Sequence, residues 1–89
     1  MKTFRWNDWN IAHIGEHGIL PDEAEIAIET AVRPWPARAG TGRYRVLGKG
    51  RDGKYLHVVF IFSPPGVVFV IHARPMSASE KWQYRRRLR

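Results

Sequence analysis

A chain of 89 residues is long enough for one domain with its own core, and 44% of its residues are hydrophobic. There is no cysteine, which excludes a disulfide framework and a thiolate metal site. No apolar run approaches the ~20 residues of a membrane helix, and residues 1–10 lack the apolar stretch of a secretory signal. We therefore expect a soluble cytoplasmic domain that does not contact a membrane.

The net charge of +7 is concentrated in the second part of the chain. Residues 1–32 carry two cations and six acids, whereas residues 33–89 carry thirteen cations and two acids, so the two parts have charges of −4 and +11. A basic surface of this kind is typical of a protein that binds a polyanion, most often nucleic acid. A basic domain without a polyanionic ligand is the alternative.

Two helices are predicted in the acidic part of the chain, after a short extended piece at Phe4–Trp6. The first helix is capped by Asn7 or Asp8 and continues to about His17. Gly18 then provides the left-handed residue that commonly ends a helix.

The second helix begins at Pro21 and ends at the segment Arg33–Pro36, because proline cannot continue a helix. Three strands follow, at Arg43–Gly48, Tyr55–Phe62 and Val67–Arg74. Asp52-Gly53 favours a hairpin between the first two strands, and the segment Ser63–Gly66 turns the chain between the last two. The strands form an antiparallel meander with the Tyr55 strand in the middle and the helices on one face, which is an α+β fold.

A third helix is predicted from about Ala78 to the end of the chain. Ser77 and Glu80 have the spacing of a capping box, in which each side chain accepts a bond from the other residue's backbone amide. This role is sufficient to explain Glu80. The arginine run in the last turns most often forms a solvated face or a non-specific phosphate contact.

His57 and His72 are predicted to lie on neighbouring strands of the meander. A register centred on the turn at residues 63–66 makes them cross-strand partners, and Tyr55 and Arg74 share their face by the strand period of two. Such a face combines groups for acid–base chemistry with a cation at the end of a strand. Two histidines that only pack and form hydrogen bonds are the alternative.

His13 and His17 lie one turn apart on the first helix, a spacing that suits two metal ligands. However, the segment does not have the His-Glu-x-x-His order, and no third ligand is evident nearby. We therefore expect neither a metal nor another cofactor, and a structural role for one of this pair.

Cleavage of RNA without a metal requires a group that takes the 2′-hydroxyl proton, a group that protonates the leaving 5′ oxygen, and cations that stabilise the phosphorane. Histidine suits both proton transfers, and arginine suits the charge stabilisation. Aromatic rings hold unpaired bases by stacking, for which Trp35, Tyr44 and Tyr55 are candidates. The predicted RNA-binding residues are Arg45, Lys49, Arg51, Lys54, Tyr55, Arg85 and Arg86. An RNA-binding module without catalysis has the same composition.

Short motifs along nearly the whole chain resemble the BrnT-type toxins of bacterial type II toxin–antitoxin systems. They are, in chain order, Phe4-x-Trp6 with Asp8, Asn10, Glu16-His17-Gly18-Ile19, the acidic helix with Ala24, Arg43-Tyr44, Leu47-Gly48, the strand Leu56–Phe62, Ile71-x-Ala73-Arg74, Ser79-Glu80 and Tyr84. The order and spacing of His17-Gly18, Ala73-Arg74 and Glu80…Tyr84 are the more specific parts. The chain departs from the family pattern at His72, where serine is common, and at His57, where an aliphatic residue is common.

The resemblance implies a RelE-like ribonuclease fold and a metal-independent endoribonuclease that arrests translation. It also implies a cognate BrnA-like antitoxin that neutralises the toxin in a hetero-oligomer, with DNA contacted only through the antitoxin. The catalytic residues carried over by motif position are Arg43, Arg74, Glu80 and Tyr84, with His17 as a marker residue whose role can be structural. The assignment of His57 and His72 to proton transfer comes from the residues alone. We expect the antitoxin to cover Trp35, Trp82 and Tyr84.

Overall fold

The computed structural model describes residues 2–63 and 66–88, and a five-stranded mixed sheet lies at its centre. The strands are β1 (Phe4–Arg5), β2 (Ala37–Arg38), β3 (Arg43–Lys49), β4 (Tyr55–Ser63) and β5 (Val67–Pro75), in the spatial order β1-β5-β4-β3-β2. The central strand β4 is antiparallel to both β3 and β5, so the α+β class and the meander are confirmed. Pro64 and Pro65, the tip of the predicted turn, lie outside the described residues.

The two edge strands are each only two residues long. β1 pairs in parallel with β5, with Phe4 opposite Val68, so the sheet is mixed rather than purely antiparallel. β2 pairs with β3, although the sequence predicts no strand between Pro36 and Arg43. Two residues are too few to show a period of two, which is why the sequence pattern misses both edge pairings.

The helices are α1 (Asp8–Gly15), α2 (Pro21–Glu29) and α3 (Ala78–Arg87). Asn7 caps α1, because its side chain accepts a bond from the Asn10 amide at 3.1 Å and the Asn10 side chain accepts one from the Asn7 amide at 2.8 Å. α1 ends earlier than the predicted His17, and Gly18, with φ of +74°, completes the turn that follows. None of these helices is long and apolar enough to cross a membrane.

Alternation along the three long strands gives the sheet two different faces. What we call the packed face carries Val46, Gly48, Leu56, Val58, Phe60, Val68, Val70 and Ala73. What we call the polar face carries Arg43, Arg45, Leu47, Tyr55, His57, Val59, Ile61, Phe69, His72 and Arg74. The residues named for the packed face are all buried, and Tyr44 and Phe62 at one end of that face are half-buried and exposed, whereas the polar face mixes buried, half-buried and exposed side chains along its length.

The helices cover different faces, so the prediction that they share one face is wrong. α2 lies on the packed face, where a Cβ on Gly48 would come within 3.0 Å of the carbonyl oxygen of Ala27. α3 lies on the polar face, where Glu80 contacts Arg74. α1 lies along β5, and the Asn10 side chain donates to the carbonyl oxygen of Val70 at 3.1 Å.

A β-bulge changes the register between β4 and β5. Phe60 is opposite Val70 but Val59 is opposite His72, so Ile71 is the extra residue. The predicted pairing of His57 with His72 is therefore wrong, since His57 is opposite Arg74. The true register differs from the predicted one by two residues at this point, which leaves all three side chains on the same face as predicted.

Candidate active site on the polar face

Arg74, at the end of β5, is held by a carboxylate from α3. Its Nη1 donates to Glu80 Oε1 at 2.7 Å and its Nη2 donates to Glu80 Oε2 at 2.8 Å, a bidentate pair of the strong charge-assisted kind. The hydrogen bond from Arg74 holds the pKa of Glu80 at about 2, and the same bond raises the pKa of Arg74. The guanidinium is therefore fixed in position with about a third of the side chain exposed, 32%.

Glu80 has two functions at once, and both come from its place in the first turn of α3. The backbone amide of Ser77 donates to Glu80 Oε1 at 2.8 Å, and the backbone amide of Glu80 donates to Ser77 Oγ at 3.2 Å, which is the predicted capping box. The same carboxylate reaches across to Arg74 on the sheet. The cap thus fixes the carboxylate that fixes the arginine.

His57 lies buried beneath this ion pair. Its Nε2 is 3.9 Å from Glu80 Oε2, and its Nδ1 has no hydrogen-bond partner among the described residues. Burial, followed by the nearby charge of Arg74, lowers the pKa of His57 to about 4. At neutral pH the ring is therefore uncharged and cannot serve as a general acid.

His72 is the centre of a cluster of four imidazole rings. Its ring centroid is 5.4 Å from that of His17, 5.9 Å from that of His13 and 5.9 Å from that of His57. Burial lowers the pKa of His72, and the nearby His17 and Arg74 lower it further. A neutral, half-buried imidazole beside a fixed guanidinium can accept a proton from a bound substrate.

His13 on α1 and His17, two residues after the helix ends, meet the polar face because α1 runs along β5. The ring of His13 stacks on Trp9 at 5.1 Å, and Trp9 in turn stacks on Phe69 at 6.1 Å, so His13 has a packing role. His17 is exposed beyond the end of the helix. Within the described part of the chain no three histidine or acidic side chains converge as metal ligands.

Arg43 and Arg45 lie on β3 and project from the polar face. Arg45, half-buried, is opposite Val59, and its charge contributes to the lowered pKa of His57 after burial and Arg74. Arg43 is exposed and lies opposite Ile61, further along the open part of the face. These two arginines extend the positive surface away from Arg74.

Tyr84 and Trp35 belong to the core. The two rings pack at 5.5 Å and are only 7% and 5% exposed, and burial raises the pKa of Tyr84. The interpretation of Trp35 as a base-stacking residue is therefore wrong, and so is the expectation that a partner covers these two rings. Tyr44 lies on the other side of the sheet, packed on Phe60 at 5.6 Å.

Comparisons with protein families, with curated proteins and with solved structures give no match. The arrangement of residues on the polar face is therefore the basis for assigning a function.

Apart from Arg45 on β3 and Arg86 on α3, the cations that the sequence groups together as RNA-binding fall into two sets. Arg51 forms an ion pair with Asp22, and Lys54 Nζ lies 3.1 Å from Glu23 Oε2, so both neutralise acids of α2. In the other set, the charges of Lys49 and Arg85 lie over the ring of Tyr55, as does that of Lys81, which the sequence analysis misses. Arg86 lies over Trp82 at 5.2 Å on the outer side of α3. The spacing of residues 81 and 85, one helical turn apart, is the signal that could have identified Lys81.

Proposed function

We propose that this protein is the ribonuclease toxin of a type II toxin–antitoxin system, which cleaves RNA without a metal and so inhibits translation. The observation that carries the proposal is the juxtaposition of His72 with Arg74 on a sheet face that remains partly open. When a 2′-hydroxyl attacks a phosphodiester, one group must take the hydroxyl proton and another must stabilise the charge on the phosphate. A neutral imidazole suits the first task and a fixed guanidinium suits the second. The resemblance of the sequence motifs to BrnT-type toxins supports the same reaction and a RelE-like arrangement of the fold.

In the proposed reaction His72 takes the proton of the 2′-hydroxyl, and the 2′ oxygen forms a bond to phosphorus. The bond from phosphorus to the 5′ oxygen breaks, which leaves a 2′,3′-cyclic phosphate on one product. The 5′ oxygen takes a proton from His17, the exposed ring nearest to His72. Arg74 stabilises the negative charge that develops on the phosphorane oxygens.

The remaining residues of the polar face act on substrate binding or on position. Arg43 and Arg45 bind the phosphates that flank the cleaved bond. Glu80 positions the guanidinium of Arg74, and His57 packs behind this pair as an uncharged ring. Tyr84 supports α3 from the core rather than contacting RNA.

A cognate antitoxin completes the proposal as a partner in a hetero-oligomer in the bacterial cytoplasm, and it provides the only contact with DNA. Three aromatic residues are expected to contact the antitoxin, and of these Trp82 on α3, which is 63% exposed, is the one whose side chain a partner can reach. Its neighbours Arg86 and Arg87 favour an acidic segment on the partner.

The test is induced expression in a bacterial host, followed by incubation of the purified protein with single-stranded RNA at low salt and with a chelator. We expect growth arrest and RNA cleavage, and a loss of about 100-fold or more in cleavage rate for His72→Asn, because general base catalysis contributes about this much. His13→Asn is the matched control, since it removes a neighbouring imidazole that stacks on Trp9 and has no part in the proposed proton transfers, and it should retain cleavage. Intact RNA with the wild-type protein, or full activity of His72→Asn, contradicts the proposal.

A non-catalytic RNA-binding or antitoxin-binding module is the second candidate. The observation that favours it is that both terminal nitrogens of Arg74 already donate to Glu80 and Nη1 also donates to the Pro75 carbonyl oxygen, so a phosphate must approach the guanidinium from its exposed side. Tight RNA binding without cleavage, measured on the same purified protein, would establish this alternative.

A further inference from the structure

Three cations surround the ring of Tyr55 at the end of the sheet. Lys49 Nζ lies 5.5 Å from the ring centroid, Lys81 Nζ lies 5.9 Å from it, and the guanidinium carbon of Arg85 lies 5.4 Å from it. Lys49 is the cross-strand partner of Tyr55, and the other two come from successive turns of α3. The β3–β4 hairpin and α3 therefore bring three positive charges to one place.

These three charges are not neutralised within the described residues. No carboxylate there forms an ion pair with any of them; Asp22 and Glu23 pair with Arg51 and Lys54, and Glu80 pairs with Arg74. Like charges that gather without an acid repel one another. The ring of Tyr55 offsets only part of this repulsion, since cation–π attraction is weak at an exposed site. A bound anion would remove the rest.

A groove opens beside the ring and provides space for such an anion. Its volume is about 250 Å³, and its lining includes Tyr55 and Lys81 of this cluster together with His17, Lys54 and Pro75. This volume is below the ~300–1,000 Å³ of pockets that hold drug-sized ligands. It suits a group as small as a phosphate with part of its attached sugar.

The surroundings of Tyr55 also decide against base stacking. Its ring is within 6 Å of three cationic groups, and the ring of Tyr84 contacts it edge-on at 5.8 Å. A nucleobase that stacked on this ring would have to displace those groups. The ring instead holds the cations in position, and the hydrogen bond and charge of Arg85, with Lys49 and Lys81, lower the pKa of its hydroxyl.

We propose that Lys49, Lys81 and Arg85, gathered around Tyr55, form a phosphate-binding site that is separate from the Arg74–Glu80 pair. The ligand class is a phosphate group, which can belong to the backbone of single-stranded RNA or to a free phosphate compound. The inference rests on the proposed function for RNA as the natural ligand, but it does not depend on cleavage. A strand bound here by one phosphate would present a neighbouring phosphate to Arg74.

The experiment measures binding without cleavage, using a fluorescently labelled 2′-O-methyl oligouridylate that lacks the attacking hydroxyl. The double variant Lys81→Gln/Arg85→Gln should weaken binding by about 10-fold or more and reduce the salt dependence, since each phosphate contact in a single strand contributes about 0.7 to the slope of log K against log salt. The matched control is Arg38→Gln/Arg51→Gln, which removes the same charge from cations outside the groove, since Arg38 lies over the ring of Tyr44 and Arg51 pairs with Asp22. It should change binding by less than about 2-fold.

Equal losses in the two double variants would overturn the site, because net charge alone would then explain binding. An unchanged affinity in Lys81→Gln/Arg85→Gln would overturn it as well, and circular dichroism establishes that each variant is folded. Inorganic pyrophosphate, added as competitor, distinguishes the sources: displacement of the oligonucleotide identifies a site open to free phosphate, and retention identifies one that requires a strand. Cleavage of unmodified RNA is measured separately, so a failure of the ribonuclease proposal leaves this result intact.

Discussion

The packed face and the polar face of the sheet arise from the same alternation along β3, β4 and β5, but their side chains make different kinds of contact with the helices. The packed face meets α2 through small residues such as Ala27 and Gly48, and its buried side chains belong to the hydrophobic core. The polar face meets α3 through the ion pair of Arg74 with Glu80, above a buried and uncharged His57. The packed face therefore contributes mainly to stability, whereas the polar face also holds charged groups that a ligand can reach.

The largest expected effect tests the packed face through Phe60, which is 0% exposed. Phe60→Ala should lower the free energy of unfolding by about 3–5 kcal/mol, because it removes a buried ring and leaves a cavity. Phe69→Ala is the matched control on the polar face, where the ring is only half-buried and stacks on Trp9, so its cost should be clearly smaller. Urea denaturation followed by circular dichroism measures both, and equal losses would mean that the faces do not differ in this way.

The next effect concerns pH and the polar face. The pKa of His57 is lowered from 6.5 to about 4 in the folded protein, mainly by burial. Between these values the unfolded chain binds a proton at His57 and the folded chain does not, so stability should fall as the pH falls from 6.5 to 4, by at most about 3 kcal/mol. Below pH 4.5 the loss continues, because the pKa of Glu80 is held at about 2 and acid protonates this carboxylate first in the unfolded chain.

His57→Gln should flatten the upper part of this pH dependence, since glutamine does not titrate. The remaining slope above pH 4.5 belongs in part to His72, whose pKa is also lowered by burial. Chemical denaturation at a series of pH values gives the slopes directly. An unchanged slope in His57→Gln would show that the buried ring is not the titrating group.

A third effect compares the ion pair of the polar face with the one beside α2. Glu80→Gln leaves the guanidinium of Arg74 without its carboxylate in a partly buried site, where the Glu80 side chain is 12% exposed, and should cost about 2 kcal/mol. Asp22→Asn breaks the exposed pair with Arg51, whose side chains are 42% and 56% exposed, and should change stability by less than about 0.5 kcal/mol. Thermal or urea denaturation at neutral pH measures the loss of stability in each variant. Equal losses would mean that burial does not make the Arg74–Glu80 pair the stronger of the two.

The sequence pattern predicts which face of the sheet a residue lies on better than it predicts which residue lies opposite on the neighbouring strand. Period-two alternation places His57, His72 and Arg74 on one face, and this survives an error of two residues in register because such an error does not exchange the faces. The bulge at Ile71 and the two short edge strands leave no pattern in the sequence, so the pairing of β1 with β5 and the true partner of His57 had to come from the structure.

The sequence also cannot tell which charged or aromatic side chains remain free. Arg51 and Lys54 are basic residues near a hairpin, but tertiary contacts place acids of α2 beside them. Trp35 and Tyr84 are aromatic residues near polar segments, but they pack on each other in the core. Local spacing does identify Glu80, because a capping box depends on residues only three positions apart.

The smallest effect tests whether the cap of α3 stabilises only the polar face and leaves the packed face unaffected. Ser77→Ala removes the hydroxyl that accepts a bond from the Glu80 amide and should cost about 1 kcal/mol, a typical value for a helix cap. Because the same turn holds the carboxylate that fixes Arg74, amide exchange should increase in α3 while α2, on the packed face, stays protected. A matched loss of protection in both helices would mean that the two faces open together. Hydrogen exchange of the variant and the wild type, compared helix by helix, therefore measures how independent the two faces are.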